Sequence, residues 1–493
     1  MRERSLCLLI SLFVLPGLVG CRKGPPKDAL VGQLQNQLDS QLEDGLFEVA
    51  DFTRRGSYPF TIEDDDRSYV LIYYDAELRF LQDHQLADWD ALNLGSLISV
   101  LGAKPRGVEG VVPDGNVSGD ILEVRGTSAY VRDNETWLPT RLRPVEPSPP
   151  DGKPVAEAAP HDGQMAALDQ VVAALEQSGA KAELADVEAD LHRLVQQARQ
   201  RLARKQGWIT LAGGSPGGTY QALADSLMRS FQTRGRDSLA VETGGSIDNA
   251  LLVERGEVQF AFVQNDVAHM ARTGEGMFSG RGPMHRLRAL CSLYPEAIQI
   301  VVRGDSSINE LADLEGEAVD LGLPESGIRF NAVGVLRVAE MELTAFREVR
   351  GRGIAEALQG LISGDVAAVF LTSSYPNRAL SSIANLHSVR VLELSAELVK
   401  RASLSDPYLV PVSIPARTYP GQAQPVRTLA VTALLVTRDD VPNDTVTTLL
   451  TQLFEGIDEL GRESVEAWSI NRRSARIGVS IPFHPAAEAV LGR

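Results

Sequence analysis

Ser215 lies in Gly213-Gly214-Ser215-Pro216-Gly217, which fits the G-x-S-x-G spacing of a serine nucleophile on a strand-to-helix turn. In such an elbow the oxyanion rests on the backbone N–H of the residue after the serine. Here that residue is Pro216, which has no N–H. Losing one such donor costs about 2.7–4 kcal/mol of transition-state stabilisation, so serine hydrolysis is the weakest function the stretch supports. No G-K-[ST] follows to make a phosphate loop, and the cluster holds no G-x-G-x-x-G. The seven histidines show neither H-x-x-x-H nor H-x-H spacing, and there is no C-x-x-C. A metal site is therefore not expected, no cofactor is implied, and the chain does not read as an enzyme. His484, in Ile481-Pro482-Phe483-His484-Pro485, reads as a packed loop histidine.

The same glycines suggest a different chemistry. Three times an apolar run stops at a Gly/Ser turn and a helical pattern begins: at Gly213–Thr219, at Thr243–Ser246 and at Gly322–Gly327. Each turn sets backbone N–H groups at a helix N-terminus, where a carboxylate or phosphate is favoured. Successive turns of this kind line a crevice at the carboxyl ends of parallel strands. Thr219 and Ser246 either cap their helices or donate to a ligand. Arg329, just after the third turn, either pairs with a carboxylate or forms a surface ion pair. A further apolar run, Phe260–Val263, ends in Gln264-Asn265-Asp266.

The elements that hold these turns alternate from Trp208 onward as strand and helix, which argues an α/β fold. Tyr220, Leu223, Ala224, Leu227, Met228 and Phe231 share one helical face. Asp248–Arg255 predicts a second helix, Ile298–Val302 a strand buried on both faces, and Val446–Leu460 a long helix. The chain is expected to form two lobes and to cross between them near Ile298 and again near Thr428. Lobe 1 takes 208–297 and 428–493, and lobe 2 with its crossing segment takes 298–427.

Ahead of this part lie several distinct segments. With 493 residues and 44% apolar content, the chain is globular and too long for one core. Its net charge of −17 argues against nucleic acid as a partner. Arg2 and Arg4 precede the short apolar run Leu6–Leu15 and then Leu18-Val19-Gly20-Cys21. This is a secretory signal over 1–20, and small residues before a cysteine resemble the lipobox at which bacterial lipoproteins are cleaved and acylated. Cys21 is the expected lipidation site, and the mature chain is expected outside the cytoplasmic membrane, tethered by lipid. Residues 21–45 read as a tether with a short helix. A small α+β, barrel-like or meander module fills 46–143, a Pro-rich linker 144–163 and a helical hairpin 164–205. Within the module Tyr69–Tyr74, Leu97–Leu101, Val108–Val112, Ile121–Val124, Ala129–Arg132 and Trp137–Leu142 predict strands, and Asp75–Asp90 a helix.

Residues 208–493 resemble the TAXI-type solute receptors of TRAP transporters. The motifs that carry the resemblance are GGSPGGTYQALADSL, VETGGSIDNALLVERGEVQFAFVQNDVA, SLYPEAIQIVVRGDSSINELADLEG, SYPNRAL, YPGQ with VTALLVTRDDVPND, and the terminal IPFHPAA. The resemblance implies a two-lobed fold like that of the type II periplasmic binding proteins. It implies capture of a small carboxylate or amino acid, such as glutamate or 2-oxoglutarate, and delivery to small and large membrane subunits. By position, the pocket would take Gly217, Gly218, Thr219, Tyr220, Gly245, Ser246 and Asn249 from lobe 1, with Gln264, Asp266 and Tyr294 on its rim. Ser326, Gly327 and Arg329 would close from lobe 2, with Tyr375 nearby. Where the family usually carries Ser-Gly-Thr, this chain has Ser326-Gly327-Ile328. A ligand-sensing lipoprotein that signals to a protein partner through its N-terminal module is the alternative.

Overall fold

The structure, a computed structural model, describes residues 24–42, 45–62, 65–89, 92–112, 115–134, 136–140, 194–195, 198–199, 202–203, 206–214, 218–324 and 326–492. The signal segment with Cys21, the Pro-rich linker, most of the expected hairpin, and Ser215 and Gly217 lie outside the described residues.

The N-terminal module begins with helix α1 (Lys27–Gln41), started at Pro26. Leu30, Leu34 and Leu38 recur every four residues along one face and are buried, so residues expected to form a tether belong to a core. Strands β1 (Phe47–Ile62), β2 (Asp65–Phe80), β3 (Val108–Glu109), β4 (Ile121–Asp133) and β5 (Thr136–Thr140) form an antiparallel sheet. Its order is β1-β2-β4-β3, with β5 also on β4. Two expectations fail here. Residues 75–80 continue β2 rather than opening a helix, because Ala76, Leu78 and Phe80 alternate inward against β1 and β4. Residues 97–101 are not a strand but the end of helix α2 (Leu94–Leu101). The Asn93 side chain accepts from the N–H of Ser96 at the start of that helix, and Gly102 ends it in the left-handed region.

From Ile209 on, ten strands form one sheet. They are β6 (Ile209–Ala212), β7 (Ser238–Val241), β8 (Phe260–Gln264), β9 (Leu287–Arg303), β10 (Ala318–Asp320), β11 (Glu348–Arg350), β12 (Ala368–Ser373), β13 (Val389–Val391), β14 (Val410–Ile414) and β15 (Val426–Arg438). The order is β11-β10-β12-β9-β15-β8-β6-β7, with β13 on β9 and β14 on β15. The outer strands run parallel, as strand-turn-helix units require, whereas β9 and β15 run antiparallel to each other and to their neighbours β12 and β8.

Helices α3 (Thr219–Thr233), α4 (Ser246–Glu254) and α5 (Asn265–Thr273) follow β6, β7 and β8, and α6 (Gly327–Val338), α7 (Ile354–Ser363), α8 (Arg378–Leu386) and α9 (Ala396–Ser405) cover the other half. Helices α10 (Asn443–Glu455), α11 (Ile457–Glu463) and α12 (Pro485–Leu491) return to the first half. There Leu449, Leu453 and Leu460 join Leu223, Leu227 and Phe231 in one apolar cluster. Lobe 2 has separate clusters around Phe370 and Leu336, and around Leu358 and Leu371.

The long strands β9 and β15 serve both lobes. The start of β9 and the end of β15 pair beside β8, while the end of β9 pairs with β12 and β13. Their mutual register slips between Thr432/Pro295 and Leu434/Ser292, so that Leu293 and Tyr294 together oppose Ala433. A bulge of this kind bends and twists the strand locally. It sits between the part of β9 that pairs beside β8 and the part that pairs with β12, and Tyr294 at the bulge is buried.

Candidate functional site

The carboxyl ends of β8, β6 and β7 stand side by side, which brings the first two glycine turns and the Gln264-Asn265-Asp266 turn together. Much of their hydrogen-bonding capacity is spent internally. Asn249, fully buried, donates through Nδ2 to the carbonyls of Gly213 (2.6 Å) and Phe262 (2.7 Å), bracing β6 and β8. Ser246 Oγ accepts the N–H of Gln264 at 3.0 Å. The N–H groups of Gly214, Gly244 and Gly245 go to Gln221 Oε1, Asp248 Oδ2 and Thr243 Oγ1. Gly245 has φ 111°, a conformation open to glycine, and so makes the tight entry to α4. Neither α3 nor α4 has a side-chain cap: Gly218 and Gly245 occupy their N-caps, and Thr219 and Tyr220 form the first turn of α3.

In lobe 2 the third turn is organised by Asp320, which is fully buried and went unnoticed in the sequence. Its carboxylate accepts the N–H groups of Gly322 (3.0 Å) and Arg352 (3.2 Å) and the Arg352 Nε (2.7 Å). Ser326 caps α6 by accepting from the Arg329 N–H at 3.2 Å and donates to the Leu323 carbonyl at 2.7 Å. Arg329 Nη1 donates to the carbonyl of Arg350 in its own lobe at 3.3 Å. Two residues expected to meet a ligand have partners within the protein. Arg329 is engaged beside β11, and Asn249 is a structural brace. Tyr375 is diverted as well, since its hydroxyl donates to the carbonyl of Trp89 in the N-terminal module at 2.7 Å.

What the fold does bring together is Tyr220, Gln264, Asp266 and Tyr294, joined by Glu296 on β9 and Asn331 on α6. Gln264 Nε2 donates to the Glu296 carboxylate, and the side chain of Gln264 lies against Gly327 at the start of α6. Asp266 is fully buried, and Asn331 faces it from the opposite lobe with 2% exposure. The Tyr220 hydroxyl faces Glu296. Yet the hydroxyls of Tyr220 and Tyr294, both carboxyl oxygens of Asp266 and both polar atoms of Asn331 lie buried without a well-formed hydrogen bond. Asp266 with Asn331, and Tyr220 with Glu296, still face each other as polar pairs, so the cluster is a set of buried polar groups whose hydrogen bonds are imperfectly met.

The electrostatics of this cluster are one-sided. Burial pushes Asp266 up to about 6, against weaker pulls from nearby N–H groups and Asn331. Burial likewise pushes Glu296 up to about 7, with the Gln264 amide lowering it and the charges of Asp266 and Glu466 raising it. Tyr220 and Tyr294 are driven well above their ordinary range by burial and by the neighbouring carboxylates. No lysine or arginine among the described residues is a main influence on these four groups. Such a cluster favours a hydrogen-bond donor or a cation over a bare anion. Among the described residues no group of His, Cys, Asp or Glu could hold a metal ion.

Glu296 was missed although a signal existed: it is the one charged residue inside Ser292–Val302, otherwise almost entirely apolar. Asn331 had none, as a lone asparagine in an amphipathic helix is common.

Residues 211–491, more than half of the chain, match the NMT1-like family. Among solved structures, the chain is similar to the periplasmic aliphatic sulphonate binding protein SsuA of Escherichia coli, at 14% identity and TM-score 0.34 over 52% of this chain and 78% of that one. It is similar to the alkanesulfonate-binding protein SsuA of Xanthomonas axonopodis pv. citri, bound to MOPS, at 13% identity and TM-score 0.34 over 58% and 83%. It is also similar to XAC2383 of Xanthomonas citri, bound to ATP, at 12% identity and TM-score 0.36 over 57% and 94%.

Proposed function

The chain belongs to the NMT1-like family, and from that premise we propose that it is an extracytoplasmic solute receptor that captures a small amino acid between its lobes without transforming it. The observation that carries this reading is the buried polar set at the lobe boundary, in which two carboxyl groups lie beside two tyrosine hydroxyls. An ammonium group has three donors and no acceptor, and it matches the Asp266 and Glu296 carboxyls with the Tyr220 and Tyr294 hydroxyls around them. The uncapped start of α3 at Gly218 and Thr219, next to Tyr220, suits the carboxylate of the same molecule. A zwitterion such as glutamate meets both ends, whereas 2-oxoglutarate brings only negative charge to two acids. Closure around it follows from contacts made with both lobes at once, which shift the population toward the closed form.

The resemblance of residues 208–493 to TAXI-type receptors supports a TRAP transporter, with its small and large membrane subunits, as the destination of the solute. Cys21 would be acylated and anchor the receptor to a membrane on its extracytoplasmic side; among the described residues no helix is long and apolar enough to cross one. A thermal-shift series with glutamate, glutamine, 2-oxoglutarate and C4 dicarboxylates tests the reading. A ligand at a hundredfold excess over its Kd stabilises by about 2.7 kcal/mol. Stabilisation by 2-oxoglutarate equal to that by glutamate would contradict the assignment of the acid pair. A sensing role is the second reading, favoured by the contact of the N-terminal module with both lobes.

A further inference from the structure

We propose that the N-terminal module is a latch, fixed to lobe 1 and hydrogen-bonded to lobe 2, that must release before the lobes can separate. Its two attachments differ in kind. Toward lobe 1 the attachment is apolar. Leu94, Leu97 and Leu101 of α2 belong to one continuous buried cluster with Ile457, Leu460 and Trp468. Trp89 Nε1 adds a bond to the Ser469 carbonyl at 3.1 Å, Asn471 Nδ2 one to the Ala87 carbonyl at 3.4 Å, and Arg106 pairs with Glu463. Buried apolar area of this sort does not part and rejoin readily without exposing it to water.

Toward lobe 2 the attachment is polar, and neither of that lobe's apolar clusters includes a residue of the module. The Tyr375 hydroxyl donates to the Trp89 carbonyl, Ser96 Oγ meets Thr418 Oγ1 at 3.1 Å, and Arg417 Nη1 donates to the Leu42 carbonyl. Trp89 thus holds one lobe through its indole and the other through its peptide. Gly95 fits where a side chain would not: a β-carbon there would stand 2.8 Å from Pro376 Cδ in lobe 2 and 3.5 Å from Val465 Cγ2 in lobe 1. Between these residues a cavity of about 20 Å³ remains, bordered by Trp89, Gly95, Tyr294, Tyr375 and Glu466, which is room for one water at most.

Lobe opening rotates lobe 2 about the β9–β15 crossing. Because the module travels with lobe 1, that rotation breaks the three lobe 2 bonds and leaves the apolar seam whole. Each hydrogen bond is worth about a tenfold shift in equilibrium at most, so three make a reversible catch rather than a weld. Solute entry and exit are then governed by the module as well as by the solute.

The test is made without solute, so it stands apart from the identity of the ligand. Spin labels at Asp237→Cys in lobe 1 and Thr344→Cys in lobe 2, in the full chain with Cys7 and Cys21 changed to serine, report the lobe separation. The parent protein should give one distance. Tyr375→Phe with Ser96→Ala removes two lobe 2 bonds while Thr418 keeps its bond to the Pro415 carbonyl, and should raise a longer-distance population by roughly tenfold or more. Gly95→Ala attacks the same seam through packing instead of hydrogen bonds and should do likewise, which keeps the test decisive if the first variant fails to fold. An unchanged distance distribution in whichever variants fold overturns the latch.

Discussion

Two carboxyl groups held in a dry interior without a cation should make the solute-free protein lose stability as the pH rises. Asp266 has its proton affinity raised from 3.8 to about 6, and Glu296 from 4.5 to about 7. At about 1.4 kcal/mol for each tenfold change in proton affinity, either group alone corresponds to about 3 kcal/mol. The two act on each other, so their joint contribution is not a simple sum. The sign follows from proton counting. Between about pH 4 and pH 7 the folded chain holds more protons at these sites than the unfolded chain does, so stability falls across that window and levels off above it. Urea midpoints measured at half-unit steps from pH 4 to pH 8 read this directly. The Asp266→Asn/Glu296→Gln double variant should lack the decline, and the difference between parent and variant should be about 3 kcal/mol or more by pH 8. A difference that does not change with pH would refute the account of the pair, because it would mean that the acids are ionised freely in the fold or are already compensated.

Four single substitutions probe neighbouring parts of the argument. Asn249→Ala strands two buried carbonyls, those of Gly213 and Phe262, and should cost about 2–4 kcal/mol in chemical denaturation. Asp320→Ala strands the N–H groups of Gly322 and Arg352 and the Arg352 Nε, with Asp365 still pairing Arg352, and should cost about 2–4 kcal/mol, with loss of order in the third turn seen by hydrogen exchange. For solute affinity, measured by calorimetry with glutamate, Arg329→Ala should change Kd by less than about threefold because its Nη1 is engaged by the Arg350 carbonyl. Asp266→Asn should weaken the same affinity by more than about tenfold through loss of a charge-assisted bond.

The helix after β6 was readable because its apolar residues repeat with a helical period, and Leu223, Ala224, Leu227, Met228 and Phe231 are all buried in the fold. The strand through Ile298–Val302 was readable because its apolar residues, broken only by Gln299, suit a strand buried on both faces, and all five are buried in β9. Short segments misled for a stated reason. Leu97–Leu101 is five residues long, too short for its period to separate strand from helix, and only the cap at Asn93 and the left-handed Gly102 decide it. Residues 75–80 looked helical because charged residues interrupt the run, yet β2 has one face exposed and tolerates them.

The candidate cluster could be placed from sequence where a residue follows a strand end, as with Tyr220, Gln264 and Asp266. It was illegible where partners arrive from far along the chain. Arg329 was drawn to a carbonyl 21 positions away, and Tyr375 to one 286 positions away. Neither contact leaves a trace in local pattern. The glycine turns misled in a subtler way. They are anion-friendly in isolation, but Gln221, Asp248 and Thr243 take up the N–H groups of Gly214, Gly244 and Gly245.

Proton release on binding tests the central claim most directly. At pH 6 Asp266 and Glu296 together hold more than one proton, and an ammonium group needs them ionised. Titration calorimetry of glutamate into the full chain, in buffers of different ionisation enthalpy, should show about one proton released per solute bound at pH 6 and almost none at pH 8.5. Proton uptake at pH 6, or no exchange at either pH, would contradict an amino group seated on the buried acids.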